Sequence, residues 1–83
     1  LVNCGTSGYV VLNGATGTLA ELACVWEMRA KSLIPRRPIV CVGDFWAPVI
    51  ALMARERPAC AHCVSRVDSP RELSKHFASL MAH

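Results

Sequence analysis

Three short apolar runs recur along the chain, and each is followed by a segment with the spacing of a helix. The runs are predicted to be strands over residues 9–12, 39–42 and 63–67. Their apolar positions are continuous rather than alternating, which is typical of parallel strands covered on both faces. The alternation predicts an α/β fold, here three strand-helix units that form part of a Rossmann-like, doubly wound parallel sheet. Three strands make half of such a sheet, so we expect the other half to lie outside this chain.

Each predicted helix begins with residues that suit a helix N-terminus. The first is predicted over residues 19–31, with Thr18 as its N-cap. The second is predicted to begin near Pro48, because proline suits the first helical position. The third is predicted from a capping box, in which Ser69 is the N-cap and Glu72 folds back onto it.

The first predicted helix is apolar on two sides. One side suits packing on the sheet and carries Leu19, Leu22, Ala23, Trp26 and Ala30. The second side carries Cys24, Val25 and Met28 and is headed by Glu21. A carboxylate on such a side is expected near a packing partner, where burial suits it to proton or cation chemistry. Further along the helix, Glu27 and Lys31 are spaced to form an ion pair.

The composition indicates a small domain with more apolar surface than its core needs. The chain has 83 residues, of which 53% are hydrophobic, and its mean hydropathy is +0.34. A chain of this size buries only about 60–65% of its unfolded surface. We therefore expect either an unusually dense core or apolar surface that faces a partner or a missing segment. The first residue is Leu1, which suggests an excerpt of a longer protein.

Charge and hydropathy disfavour two classes of partner. Nine Lys and Arg against six Asp and Glu give a net charge of +3. The basic residues are scattered rather than aligned in a stripe with aromatic residues, so we expect no nucleic-acid partner. No stretch of about 20 residues is continuously apolar, so we expect no membrane span.

The five cysteines favour a reducing, cytoplasmic setting. Cys24 and Cys41 lie in apolar runs and are expected to behave as small hydrophobic residues. A zinc site could be built from Cys60, His62 and Cys63 with His76 or His83. A structural zinc site usually has a second closely spaced ligand pair, which this sequence lacks, so we expect no metal.

The most informative stretch is the glycine-containing turn over residues 13–18, where a predicted strand leads directly into a helix. The unpaired amides and dipole of a helix N-terminus favour a phosphate there, and Thr16 and Thr18 add hydroxyl groups. An alternative stays open. Gly14 and Gly17 would then only make a tight turn, and Glu21 would fold back onto Thr18 in a capping box.

Other polar and aromatic residues near the strand ends have simpler interpretations. Asp44 follows a strand and could face a ligand cleft, but a role in the turn before Pro48 is favoured. Trp26, Phe45 and Trp46 are expected in the core or an interface rather than as platforms for base stacking.

The residues of the turn carry a resemblance to a known family. They read Asn13-Gly14-Ala15-Thr16-Gly17-Thr18-Leu19-Ala20-Glu21. This stretch resembles the Pro-Gly-Gly-x-Gly-Thr-x-x-Glu signature of the LONELY GUY (LOG) family, which are cytokinin riboside 5′-monophosphate phosphoribohydrolases. The likeness extends over residues 8–12, 22–28, 38–50 and 67–72, so it covers nearly the whole chain as the C-terminal half of a family member. Asn13 stands where the signature has proline, and Ala15 where it has its second glycine.

The resemblance implies an enzyme that hydrolyses the N-glycosidic bond of a nucleoside 5′-monophosphate to free base and ribose 5-phosphate. It implies that Glu21 is catalytic and that the phosphate is held by Gly14, Ala15, Thr16, Gly17 and Thr18. No metal or redox cofactor is implied, and family members are dimers or larger. The family's catalytic arginine would fall just ahead of Leu1.

Two alternatives to the enzyme remain. The chain could be a Rossmann-type nucleotide-binding or carrier protein that keeps the phosphate site without hydrolysis. It could also be an inactive fragment that associates with a partner. The 83-residue chain alone is expected to be inactive and to self-associate.

Overall fold

Four strands form one mixed sheet in a computed structural model, which describes residues 1–5 and 8–81. Their order in the sheet follows the chain: β1 (Val2–Asn3), β2 (Tyr9–Val11), β3 (Ile39–Val42) and β4 (Val64–Val67). β1 is antiparallel to β2, whereas β2, β3 and β4 are parallel. The three predicted strands are confirmed within one residue at each end.

The small differences in strand bounds have local causes. β2 ends before Leu12, whose carbonyl accepts a hydrogen bond from the Trp46 indole at 2.9 Å. β4 begins at Val64 because Cys63 ends a 3-10 segment, Pro58–Cys63. β1 was not predicted, since two residues carry no recognisable pattern.

The parallel strands alternate with three helices: α1 (Thr16–Ala30), α2 (Ala47–Glu56) and α3 (Leu73–Met81). α2 begins one residue before Pro48 and so starts near that proline, as predicted. α1 begins at Thr16 and not at Leu19. α3 follows a 3-10 turn, Pro70–Glu72.

The predicted capping box before α3 is wrong. Ser69 makes no side-chain capping bond. The Glu72 carboxylate, at the end of the 3-10 turn, instead accepts the Asp68 N–H at 2.9 Å, one residue before Ser69.

Helices cover both faces of the sheet. On one face, α1 and α2 pack against inward residues of β2, β3 and β4, with Leu22, Trp26 and Trp46 buried among them. On the other face, Phe77 of α3 packs against Val10, Val40 and Val67. Continuous apolar strands are therefore buried from both sides, as the sequence pattern predicted.

Only part of the predicted packing side of α1 is buried. Leu22 and Trp26 are in the core, whereas Leu19 and Ala23 are exposed. These two residues border a groove of about 460 Å³ between α1 and α2. The Glu27 carboxylate, near the end of the groove, pairs with Lys31 at 3.3 Å, as predicted, and with Arg57 at 3.0 Å. These two cations hold the pKa of Glu27 below its usual value.

The two cysteines predicted as hydrophobic residues differ. Cys41 is fully buried on β3, and burial raises the pKa of its thiol to about 11. Cys24 is exposed, so the prediction is wrong there.

Apolar surface is left exposed, as the composition indicated. The large exposed hydrophobic residues are Val2, Leu12, Leu19, Leu33, Phe45, Leu52 and Met53. Across the described ranges, each helix is too short or too polar to traverse a bilayer.

Candidate functional site

The candidate site lies at the carboxyl end of β2, where the chain turns into α1. Ala15 is the N-cap, with an extended backbone at φ −114° and ψ −150°. The predicted N-cap, Thr18, is wrong. The Ala15 carbonyl already accepts the Leu19 N–H at 3.0 Å, so Thr18 lies inside the first helical turn. The extended backbone at position 15 suits alanine as well as glycine, so this departure from the LOG signature introduces no strain.

The start of α1 is open to a ligand. No side chain caps it. Within the described residues, Leu19 supplies the first helical N–H that finds an acceptor. The preceding N–H groups, from Thr16 to Thr18, therefore point past the end of β2 with the positive end of the helix dipole. This combination favours an anion, and a phosphate most directly.

Gly14 is required by close packing. A Cβ atom there would collide with Oγ1 and Cβ of Thr18. The turn over residues 13–15 can therefore lie against the first helical turn only if position 14 has no side chain. Thr18 is half-buried in this contact, and Thr16 is exposed.

Gly17 has the opposite environment. A Cβ atom there would meet no other atom within 4 Å in the described part of the chain. Packing therefore does not require glycine at this position. The space beside the first turn is free for a bound group.

Glu21 lies one turn after Gly17 on the same side of α1. It is exposed, with 55% of its side chain accessible. Its Oε1 atom is 3.4 Å from the backbone nitrogen of Leu1. The expected burial of Glu21 is not found within this chain, although Val25, on the same side of α1, packs against the core. The alternative capping box is wrong, because the helix begins before Thr18.

Glu21 and the first-turn amides border one surface. Residues four apart share a helix face, with about 6 Å of axis between them, so Gly17 and Glu21 are neighbours. Cα–Cβ bonds tilt toward the helix N-terminus, so the Glu21 side chain leaves the helix in the direction of Gly17, and its carboxylate lies beside the Leu1 nitrogen. Glu21 is the first carboxylate along α1 after its uncapped start.

Two aromatic residues at the start of α2 border this edge of the sheet. Trp46 is buried, as expected, and its indole N–H binds the Leu12 carbonyl immediately before the turn. Phe45 is 51% exposed, so it does not belong to the core. Its ring meets that of Trp46 edge-on, with centroids 4.8 Å apart. Sequence reasoning missed the bond from Trp46, since spacing along the chain gives no signal for it.

Asp44 takes part in the turn before α2, the role that the sequence favoured. Its backbone carbonyl accepts the Ala47 N–H at 3.1 Å. Its side chain is exposed and pairs with Arg66 at 3.0 Å. Arg66 also binds Asp68 at 2.7 Å, and these carboxylates raise the pKa of its guanidinium. This ion-pair cluster was missed, although opposite charges at the ends of neighbouring strands were a signal for it.

The candidate zinc ligands are not brought together. Cys63 is buried in the core, and His76 is bonded to Ser65 at 2.9 Å. Among the described residues, no three His, Cys, Asp or Glu side chains are grouped to hold a metal ion. His83 lies outside the described residues.

No protein-family model, curated protein or solved structure matches the chain. Function is therefore inferred from the geometry of the site and from the sequence resemblance.

Proposed function

We propose that the start of α1 binds the 5′-phosphate of a nucleoside 5′-monophosphate, in the C-terminal portion of a LOG-like phosphoribohydrolase. The observation that carries the proposal is the uncapped start of α1 at Thr16, beside the open position at Gly17. The phosphate ligands are the five residues named from the resemblance: Gly14, Ala15, Thr16, Gly17 and Thr18.

The sheet supports this placement of the ligand. In open α/β sheets, ligands bind outside the carboxyl ends of parallel strands, which is where α1 begins. Strands β2, β3 and β4 follow one another across the sheet without reversal, as in one half of a doubly wound Rossmann sheet. We therefore propose that these units complete a larger sheet with residues from outside this chain.

The proposed reaction is hydrolysis by water. Water adds its oxygen to the anomeric carbon of the ribose, the N-glycosidic bond breaks, and the base leaves with a proton. As the bond breaks, positive charge develops on the sugar, and the Glu21 carboxylate stabilises that charge or orients the water. The phosphate, held one turn away, positions the sugar through a group that does not react. The proposed chemistry uses no metal or redox cofactor.

The contact between Leu1 and Glu21 fits the expected position of the family's arginine. The resemblance places that arginine just ahead of Leu1. Because the Leu1 nitrogen is 3.4 Å from Glu21, a residue at that position would lie beside the carboxylate. An arginine there would favour the enzyme over a protein that only binds nucleotides.

A second candidate function is nucleotide binding without hydrolysis. It is favoured by the exposure of Glu21, because a site that stays open to bulk water does not shield a reacting sugar from solvent. The phosphate site would be the same in both candidates, so only turnover separates them.

The test is release of free base from a panel of nucleoside 5′-monophosphates by the full-length gene product. We expect Glu21→Gln to lower kcat by about 10²–10⁴-fold, the range typical of a catalytic acid or base. The matched control is Glu56→Gln, which neutralises an exposed carboxylate on α2. It is expected to leave kcat unchanged.

Three outcomes separate the candidates. Base release that depends on Glu21 supports the enzyme. Binding of nucleotide without release supports the carrier. Release that is unchanged in Glu21→Gln would remove this carboxylate from the mechanism.

A further inference from the structure

A second, smaller pocket lies at the opposite edge of the sheet, near the beginnings of β3 and β4. Its volume is about 180 Å³, and it is lined by Arg29, Arg36, Pro38, His62, Cys63 and Ser65. Pockets that enclose drug-sized molecules measure about 300–1,000 Å³, so this one suits a single small group. It shares no lining residue with the site at the start of α1.

One donor in this pocket has no partner. The Nε atom of Arg29, in the last turn of α1, is buried, and no acceptor reaches it in the described part of the chain. A buried N–H group of a guanidinium is costly to leave unpaired. The Arg29 guanidinium therefore lacks one hydrogen-bond acceptor.

The remaining lining residues offer further donors and no carboxylate. Arg36 extends from the exposed loop before β3, and His62 lies in the last turn of the 3-10 segment before β4. The Ser65 hydroxyl lies 2.9 Å from Nε2 of His76, and it can donate to a ligand when that nitrogen carries the proton and donates to Ser65.

Backbone acceptors at the end of α1 do not supply the missing partner. The carbonyls of Glu27, Met28 and Arg29 already accept the N–H groups of Lys31, Leu33 and Ser32. Within the described residues, no acceptor therefore pairs with Nε of Arg29.

We propose that this pocket binds a phosphate group, held by the guanidinium groups of Arg29 and Arg36 and the Ser65 hydroxyl. The planar guanidinium forms paired hydrogen bonds to phosphate oxygens, and two arginines balance a dianion. The small volume admits the phosphate, either free or as the end of a monoester whose remainder stays in solvent. The proposal is independent of the function assigned to the start of α1.

The test is an NMR titration that follows the Nε–H signal of Arg29 in the chain as inorganic phosphate is added. We expect a saturable shift of that signal. A second titration uses glycerol phosphate. The ligand that binds more tightly, glycerol phosphate or inorganic phosphate, shows whether the pocket takes a monoester or free phosphate. Acetate is a third arm and is expected to bind at least about tenfold more weakly, because it carries one charge.

Two variants make the test specific. Arg36→Gln removes an exposed arginine from a loop and is expected to weaken binding at least about tenfold. Arg71→Gln makes the same charge change at the other edge of the sheet and is expected to stay within about twofold. Any of three results would overturn the proposal. Phosphate does not shift the Arg29 signal, acetate shifts it as much as phosphate does, or the signal responds to phosphate equally in Arg36→Gln. Gly17 amide shifts report the α1 site separately.

Discussion

At the residue scale, helix stability favours alanine at position 17, whereas ligand binding favours the glycine that is present. Alanine is the better helix former, and its Cβ would meet no atom within 4 Å. We expect Gly17→Ala to raise the free energy of unfolding by about 0.5–1 kcal/mol in urea denaturation. The same methyl group would occupy the space assigned to the phosphate, so we expect weaker binding of AMP in a parallel titration.

Gly14→Ala is the matched control for that variant. Its methyl group would collide with Thr18, so we expect a lower free energy of unfolding, by about 1–3 kcal/mol. If Gly17→Ala gains stability and binds AMP unchanged, the phosphate does not lie beside this position.

Cys41 gives a prediction about pH. Burial raises the pKa of its thiol to about 11 in the folded chain, against 9.0 for an unperturbed cysteine. As pH rises, the unfolded chain loses this proton first, so stability is fully present below 9.0 and falls as pH approaches 11. We expect a loss of about 2–3 kcal/mol in the free energy of unfolding over that window.

Cys41→Ala is the control for that measurement, because it removes this titration and leaves all others. Urea unfolding is compared at a pH below 9.0 and at about 11. The variant should lose clearly less stability than the unaltered chain. Equal losses would show that the buried thiol does not cause the pH dependence.

At the scale of elements, the three parallel strands and the three helices followed from the sequence, but β1 and the start of α1 did not. Thr16, Gly17 and Thr18 are weak helix formers, so local propensity placed the start after them. The bond from Trp46 to the Leu12 carbonyl holds the end of β2 just before the turn that leads into the helix. Such a contact between distant residues has no signature in the periodicity of either segment.

Trp46→Phe tests whether this bond supports the site. The substitution keeps an aromatic ring in the core but leaves the Leu12 carbonyl without its donor. We expect a loss of about 1–3 kcal/mol in the free energy of unfolding, together with weaker AMP binding.

Trp26→Phe is the matched control, because its indole N–H binds the Cys60 carbonyl at 3.1 Å, away from the turn. It is expected to lower stability similarly without weakening AMP binding. Equal effects of both variants on binding would mean that the indole of Trp46 does not position the site.

At the scale of the whole molecule, the arrangement of layers was predictable and the exposed surface was only partly so. Continuous apolar strands required cover on both faces, and the helices supply it. The sequence could not show that Leu19 and Ala23 would border an open groove, because burial there depends on how closely α1 and α2 approach.

The exposed apolar surface predicts self-association of the chain. Leu52 and Met53 are adjacent on α2 and more than 40% exposed. We expect light scattering to show a dimer or larger, and replacement of both residues by glutamine to lower the apparent mass. Leu33→Gln, at an exposed position after α1, is the control and should change it less. A monomer at all concentrations would contradict the prediction.

The central claim is that the first-turn amides of α1 hold a phosphate group. An amide-resolved NMR titration of the chain with AMP, and separately with adenosine, tests it most directly. The account predicts that AMP shifts the amide signals of Thr16, Gly17 and Thr18, and that adenosine leaves them in place. Shifts by AMP that lie elsewhere, with these three signals unmoved, would contradict it.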